Sequence, residues 1–141
     1  MEIILAENHG FCYGVKRAVE MANEAANGAG KSYTLGPIIH NPQVVGRLES
    51  KGVKPIDEVS DIDSGTMIIR SHGVGPAIYE EAENKGLNIV DATCPHVKKA
   101  QQDAKSVIED GMTLVILGEK NHPEVKSINL WANNEGIIIE D

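Results

Sequence analysis

The chain has 141 residues, 41% of them apolar, and its 13 Lys and Arg against 21 Asp and Glu leave a formal net charge of −8. That apolar share excludes a largely disordered chain, and the acidic balance with 4% aromatics excludes a general nucleic-acid binder, which needs clustered cations and stacking rings. No apolar run approaches the roughly 18 residues of a membrane-spanning helix, and Glu2 beside a short apolar run argues against a secretory signal, so a cytoplasmic protein is expected.

Short apolar runs alternate with helix-period segments along the chain. Residues 3–6 (Ile-Ile-Leu-Ala) read as a buried strand. From Gly14, Val15, Ala18, Val19, Ala22, Ala25 and Ala26 recur at helical spacing, until Asn27-Gly28 stops the helix. Residues 33–35 read as a strand. Asn41-Pro42 is a helix cap followed by proline at the first helical position, and that helix ends at Gly52. Residues 53–56 are a strand whose Pro55 assigns it to a sheet edge. Residues 66–70 are a strand, Pro76 opens a helix to Lys85, and residues 87–90 are another strand. Pro95 opens a helix to about Asp110, residues 112–117 form a strand covered on both faces, Pro123 opens a helix, and residues 137–139 form a last strand.

Seven strands alternating with helices predict an α/β protein of parallel-sheet α/β/α lobes. The boundary is expected near Thr93 to His96, giving a first lobe over residues 1–94 and the beginning of a second, truncated, over 95–141. A final strand with no covering helix after it reads as part of a longer protein.

Ligands of parallel sheets bind outside the carboxyl ends of the strands, so the strand-to-helix junctions are the places to inspect. All five histidines and both cysteines fall there: His9 and Cys12, His40, His72, Cys94 and His96, and His122. Cys12 and Cys94 each precede a helix, where the dipole favours a thiolate, the soft ligand of iron–sulfur clusters, zinc and copper. His40, His72 and His122 each precede a helix start, a setting that suits phosphate. Glu124 follows His122 at the start of the same helix; it suits the dipole there and could relay protons, with Glu119 its nearest competitor. Lys16-Arg17 and Lys98-Lys99 lie in first turns, against the dipole. They are either solvated charges, with Lys16 paired to Glu20, or an attraction for an anion or an acidic partner.

Five segments then carry a resemblance: residues 10–15 (Gly-Phe-Cys-Tyr-Gly-Val), 39–41 (Ile-His-Asn), 71–74 (Ser-His-Gly-Val), 91–95 (Asp-Ala-Thr-Cys-Pro) and 121–125 (Asn-His-Pro-Glu-Val). In this order and spacing they resemble the 4-hydroxy-3-methylbut-2-enyl diphosphate reductase family, the last enzyme of the methylerythritol phosphate route to isoprenoids. The resemblance implies three similar lobes round a central site, and a [4Fe-4S] cluster held by three cysteines, of which Cys12 and Cys94 match two. It implies that His40, His72 and His122 hold the diphosphate of a small allylic substrate, that Glu124 delivers protons, and that a ferredoxin or flavodoxin supplies electrons. The products would be isopentenyl and dimethylallyl diphosphate. The family's third cysteine lies beyond this chain, so the chain alone is expected to be inactive. His9 and His96 match no family role. The competing readings are a zinc-dependent hydrolase, disfavoured by the lack of H-x-x-x-H and C-x-x-C spacing, and a non-enzymatic phosphate-ligand binding module.

Overall fold

A computed structural model describes residues 2–7, 9–28 and 30–140. The first part of the chain forms α1 (Tyr13–Ala26), β1 (Ser32–Leu35), α2 (Pro42–Ser50), β2 (Val53–Ile56), β3 (Thr66–Ile69), α3 (Pro76–Asn84) and β4 (Asn88–Asp91), with a short 3-10 turn at Val59–Asp61. Then follow α4 (Pro95–Glu109), β5 (Val115–Leu117), α5 (Pro123–Trp131) and β6 (Ile137–Ile139).

The four strands β2-β1-β3-β4 form one sheet in which every pairing is parallel. The register aligns Leu35, Ile56, Ile69 and Asp91 at one end, so the segments that leave β1, β3 and β4 emerge along one edge. Pro55 sits in β2 at the sheet's margin, as expected for a residue without an N–H to give the ladder. At the start of α2, the Asn41 side chain accepts from the Val44 N–H at 3.1 Å, which satisfies one orphan donor of the first turn.

Alternation along β3 builds the core. Ile68 faces Ala18 and Ala22 of α1 and Val44 and Leu48 of α2, all buried. Met67 and Ile69 face the other way, onto Val59, Val74, Ala82 and Leu87 beside α3. Two helices on one face and one on the other make the first unit a three-layer α/β/α sandwich, as its buried strands predict.

Two expectations are corrected. Residues 3–6 form no strand: Ile3, Ile4 and Leu5 are 73%, 82% and 75% exposed, and residues 2–7 lie outside regular structure. An apolar run becomes a strand only where a partner ladder accepts its backbone, so six strands rather than seven form among the described residues. The β5-β6 sheet is parallel, but it is not covered on both faces. Ile116 and Ile138 are half-buried, whereas Val115, Leu117, Ile137 and Ile139 point into solvent. A continuous apolar run conceals which of its alternate positions are covered.

Ile68 is fully buried in the central strand. Ile68→Ala is expected to cost about 2–5 kcal/mol and to lower the urea midpoint of unfolding; an unchanged midpoint would mean that β3 does not anchor the core.

Candidate functional site

Three histidines far apart in sequence meet at the carboxyl edge of the sheet. His40 directly precedes the α2 cap, His72 lies between β3 and α3, and His122 caps α5. Their ring centroids are 4.4 Å apart for His40 and His72, 5.7 Å for His40 and His122, and 5.6 Å for His72 and His122. One nitrogen from each ring lies within 4.8 Å of the others.

Loop hydrogen bonds hold this arrangement. The Ser71 N–H and hydroxyl both donate to the Ile38 carbonyl at 3.2 Å, and the Ser71 carbonyl accepts from the Cys94 N–H at 2.9 Å. Ser127, within α5, points its hydroxyl at the His72 carbonyl at 2.7 Å and the Glu124 carbonyl at 2.9 Å. Gly73 has φ +72°, and a Cβ there would strike the Gln101 amide and Thr93, so glycine lets the His72 loop close onto α4.

The electrostatics favour an anion over a metal. The Glu124 backbone N–H donates to His122 Nδ1 at 3.2 Å, which leaves the ring proton on Nε2 as a donor. A transition metal would have to take the Nδ1 lone pair from that bond or displace the Nε2 proton. Burial lowers the pKa of His72 to about 4, assisted by His40, Arg70 and His122, so the imidazole is uncharged near neutrality. Its Nδ1 is buried with no hydrogen-bond partner among the described residues. Ring N–H groups beside two helix starts can bind phosphate oxygens with little rearrangement.

The helix starts that carry the two cysteines adjoin. Cys12 caps α1 and Cys94 caps α4, and neither side chain closes a capping bond. A Cβ on Gly14, two residues after Cys12, would collide with Cys94 Sγ. Both thiols are free, Cys12 exposed and Cys94 half-buried. Two sulfurs at adjoining helix starts, unspent on caps, form a soft donor pair.

Glu124 is half-buried in the first turn of α5. His9 and His96 are exposed and outside the triad; His9 Nδ1 lies 2.8 Å from the Ala6 carbonyl. The first-turn cations have protein partners. Lys16 lies 4.0 Å from Glu20, Lys99 lies 2.8 Å from Asp103, and Lys98 lies 2.6 Å from Asp91. Asp91 is held below its ordinary pKa: burial opposes ionisation, but the Lys98 and Thr93 donors outweigh it. Arg17 donates to the Thr93 carbonyl at 3.2 Å, immediately before Cys94. Arg17, Ser127 and Gln101 are positioning residues that sequence spacing alone does not flag, because each acts on a partner remote in the chain. Arg17 carried the only signal, a cation in the wrong end of a helix.

The LytB protein family matches residues 3–141. The chain is 53% identical over 139 residues to 4-hydroxy-3-methylbut-2-enyl diphosphate reductase of Geotalea uraniireducens (strain Rf4), covering 99% of this chain and 49% of that protein. It is 55% identical over 132 residues to the enzyme of the same name from Geobacter sulfurreducens, covering 94% and 47%. A solved structure of (E)-4-hydroxy-3-methylbut-2-enyl diphosphate reductase, described as the terminal enzyme of the non-mevalonate pathway, superposes with a TM-score of 0.84 at 46% identity, over 99% of this chain and 51% of that one. The reductase of Plasmodium falciparum gives 0.90 at 32% identity, over 94% and 42%. The chain thus spans about half the length of the relatives it matches. With that match over nearly all of its residues, the chain belongs to the LytB protein family.

Proposed function

We propose that the protein carrying this chain reductively removes the hydroxyl of 4-hydroxy-3-methylbut-2-enyl diphosphate, giving isopentenyl and dimethylallyl diphosphate. The balance is two electrons and two protons consumed, one C–O bond broken, one C–H bond formed and one water released. The observation that carries the reading is the convergence of three imidazoles, two of them at helix starts, at the sheet edge that also presents two thiols. We further infer a first lobe over residues 1–94, the opening of a second over 95–141, and a cytoplasmic setting. Among the described residues no helix is long and apolar enough to cross a membrane.

In this reading His40, His72 and His122 donate N–H groups to the diphosphate, and the first turns of α2 and α5 add their dipoles. Gripping the diphosphate at one end aims the allylic hydroxyl at the rest of the site. Glu124, tied to His122 through its backbone, holds the proton that the departing hydroxyl needs. The donor pair fits an iron–sulfur cluster: Cys12 and Cys94 would be two of its ligands, soft thiols on adjoining helix starts. A [4Fe-4S] cluster held there would relay the two electrons one at a time from a ferredoxin or flavodoxin. Arg17 and Ser71 hold the Cys94 loop against α1 and the His40 loop.

Glu124→Gln in the intact protein is expected to keep diphosphate affinity while lowering kcat by about 100-fold or more in a steady-state assay with a reduced dye. An unchanged kcat removes Glu124 from the proton path. Cys94→Ser is expected to lower the iron and acid-labile sulfide retained after anaerobic reconstitution; wild-type content would remove Cys94 as a ligand. His72 supplies a pH test with a defined sign. The unfolded chain protonates it near 6.5 and the folded protein only near 4, so its contribution to stability is lost as pH falls between those values. Thermal melting of His72→Gln should therefore fall less steeply than wild type from pH 7 to 4.5, and identical slopes would show that His72 is not held neutral.

A further inference from the structure

Beside the triad lies a cavity of about 340 Å³ that none of the three histidines lines. Its walls include Gly36 before α2, Arg70 at the end of β3, and Pro123 and Lys126 in the first turn of α5. Arg70 lies two residues before His72 and Pro123 directly follows His122, so the cavity adjoins the histidine cluster.

Arg70 is the unusual group. Its guanidinium is half-buried, and Nε is buried with no hydrogen-bond partner among the described residues. Arg70 and Lys126 join none of the ion pairs found among those residues. The guanidinium lies against Gly36, where φ is +69° and a Cβ would stand 2.7 Å from Nη1. Glycine at that turn therefore leaves the room in which the guanidinium sits. Asp57, at an exposed position, is the one acid lining the cavity, so the lining carries two cations and one anion. A partly desolvated guanidinium without a partner is unfavourable, and its planar donors match two oxygens of one oxyanion.

We propose that Arg70 and Lys126 form a second oxyanion subsite next to the histidine triad, sized and charged for a phosphoryl group. The subsite does not depend on the assignment of the triad. Its phosphoryl group comes either from free inorganic phosphate or from the outer phosphate of a diphosphate that the triad grips.

The test is calorimetric titration of the intact protein with inorganic phosphate and with inorganic diphosphate at low ionic strength, using Arg70→Gln, Arg70→Lys, Lys126→Gln, Asp57→Asn and His122→Ala. Arg70→Gln is expected to weaken binding of at least one of the two anions by about tenfold or more, with partial recovery in Arg70→Lys. Lys126→Gln weakens that binding less, and Asp57→Asn tightens it about twofold to threefold. Phosphate binding that survives in His122→Ala and still depends on Arg70 identifies free phosphate as the ligand. Arg70-dependent diphosphate binding that vanishes in His122→Ala identifies the outer phosphate. Wild-type affinities in Arg70→Gln, or no binding of either anion by the wild type, overturn the proposal; loss in His122→Ala alone leaves the triad reading standing while this one falls. If Arg70→Gln does not fold, Lys126→Gln and Asp57→Asn decide, and unchanged affinity in both overturns the subsite.

Discussion

The site hangs on the hydrogen bonding of one residue, Ser71. Through its N–H and hydroxyl it holds the Ile38 carbonyl, and through its carbonyl it receives the Cys94 N–H. Three successive junctions of a parallel sheet are thereby locked to each other just beyond the strands. The register of β1, β3 and β4 brings those junctions level, and Ser71 stops them from fraying apart. Ser71 is itself buried, so these bonds face little competition from water.

What this frame presents is a surface of donors. Helix starts carry unsatisfied N–H groups and a positive dipole end, and two of the three histidines, His40 and His122, stand at such starts. His122 illustrates how backbone chemistry selects the ligand class. By accepting the Glu124 amide, Nδ1 fixes where the ring proton stays, so the side chain becomes a donor. The three nitrogens are close enough to hold a metal, yet this one bond turns the cluster toward anions. That is a residue-level reason to set the zinc hydrolase aside, more specific than the absence of a spacing motif.

The cations in the first turns of α1 and α4 show the opposite outcome. They oppose the dipole, and each finds a protein partner: Lys16 with Glu20, Lys98 with Asp91, Lys99 with Asp103, and Arg17 with the distant Thr93 carbonyl. The exposed Lys16 and Lys99 pairs contribute little. Arg17 and Lys98 do more, because they brace the segment that carries Cys94. Arg70 differs from these: it joins no ion pair found among the described residues, and its buried Nε has no acceptor there.

Much of this was legible from residue order. Capping signals such as Asn41-Pro42 and the proline-headed helices at 76, 95 and 123 place the helix starts, because they act within a few residues. Proline placed β2 at a sheet margin for the same local reason. The alternation of strands and helices implies a parallel sheet, and with it the common edge where histidines and cysteines gather. The fate of residues 3–6 and the bare face of β5-β6 lay outside that reach, since an apolar run states a preference for burial without naming the surface that would satisfy it. Tertiary structure alone decided the pairing of Ser127 with the His72 carbonyl, the seat of Arg70 under Gly36, and the contact of Gly14 with the Cys94 sulfur. Each joins groups 34 or more positions apart, at distances set by how helices settle on the sheet, and no periodicity within one segment encodes such a distance.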